Sequence, residues 1–146
     1  MSDISELTTN IHRLSNVLGK VADRALQDNC GYGMSQFKIL WMLHQHQEGV
    51  LQTTIASWLN QTEAAVSRQI RLLKKEGLID KQVDPENRRN HIIMLSSDGK
   101  KFAEEAMELL VREYAPFFES LGKGECAALS AKLEKIFFTV CTKINN

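Results

Sequence analysis

The sequence predicts a mainly helical chain that carries one small β-hairpin. Apolar residues recur at spacings of three and four along much of its 146 residues, which is the period of an amphipathic helix. Only 7% of the residues are aromatic and two are proline, a composition that favours helices over a strand-rich sandwich. One stretch, residues 78–95, indicates instead two short strands around a turn.

The bulk composition is that of an ordinary globular domain, with 43% hydrophobic and 25% charged residues. Eighteen basic residues balance eighteen acidic ones, so any attraction to nucleic acid must come from a local field. Three cysteines lie far apart without a CxxC pair, which favours a reducing compartment. We see no signal peptide and no membrane-spanning apolar run, and we expect a soluble, cytoplasmic protein without membrane association.

The first predicted helix follows a heptad pattern and should end near Asn29, where a Cys-Gly-Tyr-Gly run begins. Its apolar seam, which suits packing against another helix, consists of Ile4, Leu7, Ile11, Leu14, Leu18, Val21 and Ala25. A second helix is expected over 35–45, and 49–51 leaves room only for a turn or a single short strand. The core candidates of this second helix are Phe37, Leu40, Trp41 and Leu43.

Two short helices joined by a tight turn follow, over about 52–76. The apolar face of the first is formed by Ile55, Ala56 and Leu59. Residues 60–62 make the turn, and either Asn60 or Thr62 can cap the next helix. Asn60 with Glu63 three positions later resembles a capping box.

The second of these helices, about 63–76, has an apolar face and a basic face. The inward residues are Val66, Ile70 and Leu73, and Gly77 should end the helix. The opposite face holds Ala64, Ser67, Arg68, Arg71, Lys74 and Lys75. Arg68 has the reach to meet a guanine edge, while Thr62 and Ser67 suit phosphate oxygens. Alternatively, this is an ordinary solvated basic face, and the helix alone does not decide between the two.

The hairpin decides in favour of DNA binding. Its strands are expected over 78–83 and 91–95, and the connection 84–90 carries Arg88 and Arg89 at an exposed tip. A guanidinium there can enter a narrow minor groove. The order helix, turn, helix, hairpin describes a winged helix-turn-helix, which places one helix in the major groove and a basic loop beside it.

Two further amphipathic helices end the chain. Residues 96–98 can cap the first of them, Pro116 should kink or end it, and 122–124 separate it from the last. With the first helix they present more apolar surface than the central module could cover, which indicates an interface. A bundle within one chain is the alternative, but the heptads favour a homodimer. The predicted fold is mainly α with a small β-hairpin wing: a winged helix-turn-helix with N- and C-terminal dimerisation helices.

Residues 55–99 resemble the MarR family of winged-helix transcription regulators. The matching pieces are IASWLNQTEAAVSRQIRLLKKEGLI and DPENRRNHIIMLSSDG, the second of which follows the family's pattern of Asp-Pro, paired arginines and a strand ending Leu-Thr-x-x-Gly. Upstream, YGMSQFKIL is similar to the segment that opens the family's second helix. The resemblance implies a single domain over 1–146, with 32–96 as the winged DNA-binding module and with 1–31 and 97–146 as the helical dimerisation region.

The resemblance further implies a homodimer whose recognition helices enter the major groove of a pseudo-palindromic operator. It places Arg68 at a base-reading position and Arg88 at the wing position that probes the minor groove. The implied DNA-binding residues are Thr62, Ala64, Ser67, Arg68, Arg71, Lys74, Arg88 and Arg89. Asn60 stands where the family often has a turn glycine, and Asn87 where an aspartate commonly orients a wing arginine, so we expect a looser wing.

Members of this family are often repressors released by a small aromatic ligand, an oxidant or a metal. The candidates for a ligand cleft are Leu14, Phe37, Trp41 and His44, although ordinary core roles account for them more simply. Cys30 is the candidate for an exposed, reactive thiol, and the sequence shows no convincing set of metal ligands. Trp58 should pack against the terminal helices or else line the cleft.

The predicted function is therefore a sequence-specific DNA-binding regulator, a ligand-responsive repressor that acts as a homodimer. The alternative is a winged-helix protein-interaction adaptor, which would dimerise tightly but bind DNA no better than any acidic polymer. The chain lacks GxSxG, Walker and HExxH motifs, so we expect neither an enzyme nor a cofactor. RNA is disfavoured because the basic face has no stacking aromatics.

Overall fold

The computed structural model describes residues 2–144. Its helices and strands, in chain order, are α1 (Asp3–Cys30), α2 (Met34–Gln45), β1 (Val50–Leu51), α3 (Gln52–Leu59), α4 (Glu63–Lys75), β2 (Ile79–Val83), β3 (His91–Leu95), α5 (Ser97–Tyr114) and α6 (Glu125–Ile144), with a short 3₁₀ helix at Ala115–Phe118. The chain forms two compact units, one ending at Glu113 and the other beginning at Tyr114. The predicted mainly helical fold with a small β-wing is confirmed.

The sheet has three antiparallel strands in the order β1-β3-β2. β2 and β3 are the predicted hairpin, in a register that sets Ile79 opposite Leu95. β1 has only two residues, and it joins the other edge of β3 by pairing Val50 with Ile93. Because β3 is the central strand, Ile93 is fully buried, and the base of the wing is part of the core.

The core of the first unit is built by α2, α3, α4 and the sheet. Its fully buried large side chains include Ile39, Leu40, Leu43, Ile55, Val66, Leu73 and Ile93. The prediction for α2 was right for Phe37, Leu40 and Leu43, but Trp41 is only half-buried and Ile39 was missed. The reason is that α2 is covered on more than one side, so its buried residues span an arc of about 160° rather than one narrow stripe.

Gly99, in the first turn of α5, shows why the motif ending β3 requires glycine. The hydroxyl of Ser96 accepts a hydrogen bond from the Gly99 amide (3.0 Å) and donates one to the carbonyl of Gly77 (2.6 Å). The backbone amide of Ser96 donates to the carbonyl of Leu78 (3.1 Å). A Cβ on Gly99 would overlap that same Leu78 carbonyl. Glycine therefore lets α5 begin directly against the segment that leaves α4, with Ser96 as the cap.

α1 changes character along its length. Toward its C-terminus Ala22, Ala25 and Leu26 are buried, whereas apolar side chains in its first half are exposed, from 36% at Ile11 to 73% at Ile4. The helix runs one residue beyond the predicted end and stops where Gly31 adopts a left-handed conformation, φ 73°. Of the predicted heptad seam, only Ala25 is buried, Leu18 and Val21 are half-buried, and the four residues from Ile4 to Leu14 are exposed apolar surface.

α6 leaves a second apolar face uncovered. None of its described residues is buried. Its exposed large apolar side chains are Leu129, Leu133, Ile136, Phe137, Phe138, Val140 and Ile144. α5 stops at Tyr114, as expected from Pro116 two residues later. Over the described part of the chain, no helix has the length and apolar content needed to cross a membrane.

Candidate nucleic-acid interface

The turn between α3 and α4 sets where α4, the predicted recognition helix, begins. Asn60 ends α3 in the left-handed region (φ 51°), a conformation asparagine tolerates better than most residues. Thr62 caps α4, because its hydroxyl oxygen accepts a hydrogen bond from the amide of Ala65 (3.1 Å). The predicted capping box of Asn60 with Glu63 is therefore wrong: Asn60 closes the helix before the turn, and Thr62 opens the one after it.

α4 places its apolar and basic residues on opposite sides. Val66, Ile70 and Leu73 are buried in the core. On the other side, an arc of about 120° carries the predicted DNA-contacting residues. They are Ala64, Ser67, Arg68, Arg71, Lys74 and Lys75, all exposed except Ser67, which is half-buried. The amphipathic pattern thus presents four cations on one solvent-facing surface, which we call the basic face.

The C-terminus of α4 is closed so that the wing starts immediately. Gly77 takes a left-handed φ of 75°, and its amide donates to the carbonyl of Lys74 (3.0 Å). The amide of Leu78 reaches back to the carbonyl of Leu73, also at 3.0 Å. This pair of bonds is a Schellman motif, and it confirms the predicted helix stop at Gly77. β2 begins only two residues later, so the recognition helix and the wing are joined by a short, hydrogen-bonded segment.

The wing tip is held by its own hydrogen bonds. The side-chain oxygen of Asn87 accepts from the amide of Arg89 (3.1 Å), and its carbonyl accepts from the amide of Asn90 (2.9 Å). Asp84 accepts from the amide of Glu86 through its carboxylate (3.0 Å). Asn87 therefore supplies the turn geometry that an aspartate would, without its charge.

Arg88 and Arg89 are both exposed at this tip. Among residues 2–144 neither of them, nor Arg68 or Arg71, forms an ion pair; the pairs present are His44 with Glu104 and Lys101 with Glu105. Charges without an internal partner are available to an external one. The structure thus leaves the guanidinium groups of the wing and of the basic face open to a polyanion.

The four ligand candidates do not line one cavity. Phe37, Trp41 and His44 form a stack along α2, with ring centroids 6.1 Å and 4.9 Å apart, and His44 also bonds the carboxylate of Glu104 (3.0 Å). Leu14 is 51% exposed on α1 and borders neither of the two main clefts. Only His44 borders one, a cleft of about 200 Å³ beside Leu95 and Lys100. Three of the candidates thus stack with one another instead of facing a cavity.

A larger cleft, of about 420 Å³, was not anticipated from the sequence. It is polar and lies where the α1–α2 junction meets α4. Its lining includes Asp23, Gln27, Tyr32, Gln36, Gln69 and Leu72. These residues are scattered over 50 positions of sequence, and no motif links them.

Cys30 and Trp58 differ from expectation. Cys30 is half-buried, and burial, followed by the nearby charge of Glu105, raises the pKa of its thiol. A raised pKa lowers the thiolate fraction at neutral pH, which is the opposite of what a reactive cysteine needs.

Trp58 is 53% exposed, and its ring contacts the imidazole of His46, with ring centroids 5.0 Å apart. No cluster of three or more His, Cys, Asp or Glu suited to a metal occurs between residues 2 and 144.

Comparison with known proteins finds the same architecture elsewhere. The MarR family matches residues 33–91. YdgJ of Bacillus subtilis strain 168, an uncharacterised HTH-type transcriptional regulator, is 23% identical over 142 residues, covering 97% of this chain and 80% of YdgJ. A MarR-family transcriptional regulator from Rhodococcus sp. RHA1 has a TM-score of 0.82 at 19% identity, covering 95% of this chain and 97% of its own. The S. aureus MepR–DNA complex has a TM-score of 0.70 at 25% identity, covering 90% and 96%.

Proposed function

The winged helix-turn-helix of this chain is that of a MarR-family transcription regulator, and from that premise we propose that the protein is a homodimeric repressor of a pseudo-palindromic operator. The observation that carries the proposal is the unpaired basic face of α4 together with the arginine tip of the wing. A solvated helix face alone is common, but a second cationic element on the adjoining hairpin is the arrangement a duplex requires.

In this proposal the two elements have different tasks. α4 enters the major groove, where the small side chain of Ala64 allows close approach and Arg68 reads a guanine edge through two hydrogen bonds. Thr62 and Ser67, near the α4 N-terminus, bind phosphate oxygens with help from the helix dipole. Arg71 and Lys74 contact the flanking phosphates, and these contacts fix the register without reading sequence.

The wing acts beside the helix. Arg88 enters the minor groove, where a narrow groove concentrates negative potential, and Arg89 binds the neighbouring phosphates. The hydrogen bonds that Asn87 makes within the tip support this role, because they set the backbone from which both arginines project. Since neither guanidinium has an acidic partner within residues 2–144, neither has to break an ion pair there before it binds DNA.

In the proposed dimer, a second copy of the chain covers the apolar surfaces of α1 and α6. Five large apolar side chains in the first half of α1 and seven in α6 are at least 36% exposed. Apolar patches of this extent mark an interface rather than a solvent-facing surface. We propose that 1–31 and 97–146 form the dimerisation region, that 32–96 form the DNA-binding module, and that half-sites lie about one helical turn apart.

Repression would be relieved by a small aromatic ligand that binds the DNA-incompetent arrangement more tightly than the competent one. The exposed edge of the Trp41–His44 stack, beside the smaller cleft, is the place we propose for it. Titration with benzoate-class acids, followed by tryptophan fluorescence, tests this proposal. The Trp41→Phe and Trp58→Phe variants show which tryptophan gives the signal.

Because the regulator acts on DNA, we propose that it works in the cytoplasm.

Selection of bound sequences from a random duplex pool, at about 0.15 M salt, tests the central proposal. We expect one enriched inverted repeat, protected on both halves in footprinting, and a dimer by sedimentation. A tight dimer that enriches no sequence would instead identify a protein-interaction adaptor. A monomer that binds every duplex equally would rule out both the dimer and the operator.

A further inference from the structure

A chain of hydrogen bonds connects α1 to the recognition helix through the first turn of α2. Asp23, on α1, accepts from the backbone amide of Met34 (2.8 Å) and from the side chain of Gln27 (3.1 Å). Gln36, on α2, accepts from the amide of Gly33 (2.8 Å) and donates to the side-chain oxygen of Gln69 on α4 (2.6 Å). The helices α1, α2 and α4 are therefore joined by polar contacts at one point.

The chemistry of these groups fixes the orientation of both amides. The backbone N–H of Gly33 can only donate, so the oxygen of Gln36 must face it, and the NH₂ group of Gln36 must face α4. Gln69 then has to present its oxygen. The carboxylate of Asp23 meets an amide in the first turn of α2 that has no intrahelical partner, where the helix dipole also favours a negative charge. The contacts are thus directional, unlike the apolar packing around them.

Gly33 leaves room for this arrangement. A Cβ at that position would lie 2.8 Å from the Asp23 carboxylate, 3.3 Å from the Gln36 oxygen and 3.4 Å from the Gln27 amide nitrogen. Its φ of −95° is one that any residue adopts, so the close approach and not the backbone conformation requires glycine. The three polar side chains converge on a single small residue.

The other end of α4 lies near the α1–α2 junction. Burial, followed by the nearby carboxylate of Glu76 just beyond the last turn of α4, raises the pKa of the Tyr32 hydroxyl in that junction. The Tyr32 ring lies edge-on against Phe102, with centroids 5.0 Å apart. The recognition helix is therefore bonded to α2 near its middle, through Gln69, and its end lies close to Tyr32 of the α1–α2 junction.

We propose that Gln69, bonded to Gln36, is a positioning residue that fixes the angle between α1 and the recognition helix. This inference rests on the proposed function: Gln69 sets which separation of the operator half-sites is preferred, and it does not affect base preference. Gln69 lies on the flank of α4 that meets α2, away from the basic face, so it contacts no DNA. In a dimer built on α1, any freedom in this angle becomes freedom in the distance between the two recognition helices.

The DNA experiment measures affinity for operators whose half-site separation is changed by one and by two base pairs. The wild type should prefer one separation by about tenfold or more, and Gln69→Met should reduce that preference to about threefold by removing the acceptor while keeping side-chain length. Gln69→Glu keeps an acceptor for Gln36 and should restore the preference, whatever its charge does to overall affinity. Gln45→Met, an exposed glutamine on α2, is the matched control.

A measurement without DNA separates this proposal from the proposed function. Nitroxides at exposed positions Lys20 on α1 and Lys75 on α4, in a background with the three cysteines replaced by serine and diluted with unlabelled chain, report the intrachain distance. Gln69→Met should broaden or shift the distribution, and Gln45→Met should not. An unchanged distribution and an unchanged spacing preference in Gln69→Met would overturn the positioning role. If the wild type shows no spacing preference, the proposed function fails, and the nitroxide distances still decide whether Gln69 fixes the angle.

Discussion

Replacing Arg68 with alanine should weaken operator binding and leave the fold intact. The side chain is exposed on α4 and forms no ion pair among the described residues, so the free energy of unfolding should change by less than about 0.5 kcal/mol. A bidentate contact with guanine is worth about 1–3 kcal/mol of discrimination. Two half-sites act nearly independently, so the dimer should lose about 2–6 kcal/mol on its operator.

Fluorescence anisotropy on the operator and on duplexes with single base changes measures this loss. Arg68→Ala should bind all bases equally at one position of each half-site and keep its preferences elsewhere. Lys74→Ala, a phosphate contact, should weaken binding to every duplex and lower the salt dependence by about one counterion per half-site. Arg112→Ala on α5 removes an exposed cation elsewhere and should change neither. Equal losses for Arg68→Ala on operator and unrelated duplex would refute base reading by this residue.

Four further outcomes are expected. Arg88→Ala should weaken binding about tenfold where A-tracts narrow the flanking minor groove, and little elsewhere, as measured on operators that differ only in their flanks. Gly99→Ala should cost at least about 2 kcal/mol in chemical denaturation, because the added methyl group meets the Leu78 carbonyl. Cys30, whose raised thiol pKa keeps it protonated at neutral pH, should react with iodoacetamide more slowly than exposed Cys126, and its rate should still be rising above pH 9, as followed by mass spectrometry. Leu133→Asp should shift sedimentation toward monomer, and an intact dimer would show that α6 is not in the interface.

The helices were predictable because the apolar periodicity stopped at the glycine or proline residues that predict a helix end. Gly31, Gly77 and Pro116 ended helices within one or two residues of the predicted positions. β1 was not predictable, since two residues carry no alternation and its partner lies over 40 positions away. The sequence left the cap of α4 open between Asn60 and Thr62, and the capping box at Asn60 was wrong, because asparagine suits both a helix N-cap and a left-handed C-cap and only the backbone decides between them.

The candidate site also combines features that the sequence predicts with features that it does not. The basic face follows from a helical wheel, and the wing tip from turn-forming residues between two strands. The bond between Gln36 and Gln69 spans 33 positions, and two glutamines in amphipathic helices look like ordinary solvated residues. The ligand site at these aromatic residues stays a prediction, and the sequence did not show that Phe37, Trp41 and His44, which lie about one turn apart on α2, stack on one another.

The zero net charge of the chain supports a DNA-binding role when charge is counted by location. The basic face and the wing connection 84–90 hold six of the eighteen basic residues and two acidic ones, Asp84 and Glu86, so the rest of the chain carries twelve basic against sixteen acidic residues. Screening over about 8 Å at physiological salt keeps these regions electrostatically separate. The remainder of the molecule therefore has a negative formal charge, which favours the approach of a duplex at the basic face and the wing tip. Generic binding, which depends on total cation contact, is weakened, while the contacts that read sequence are unaffected. A balanced composition with a local concentration of cations thus raises the ratio of specific to non-specific affinity, which is the quantity a regulator needs.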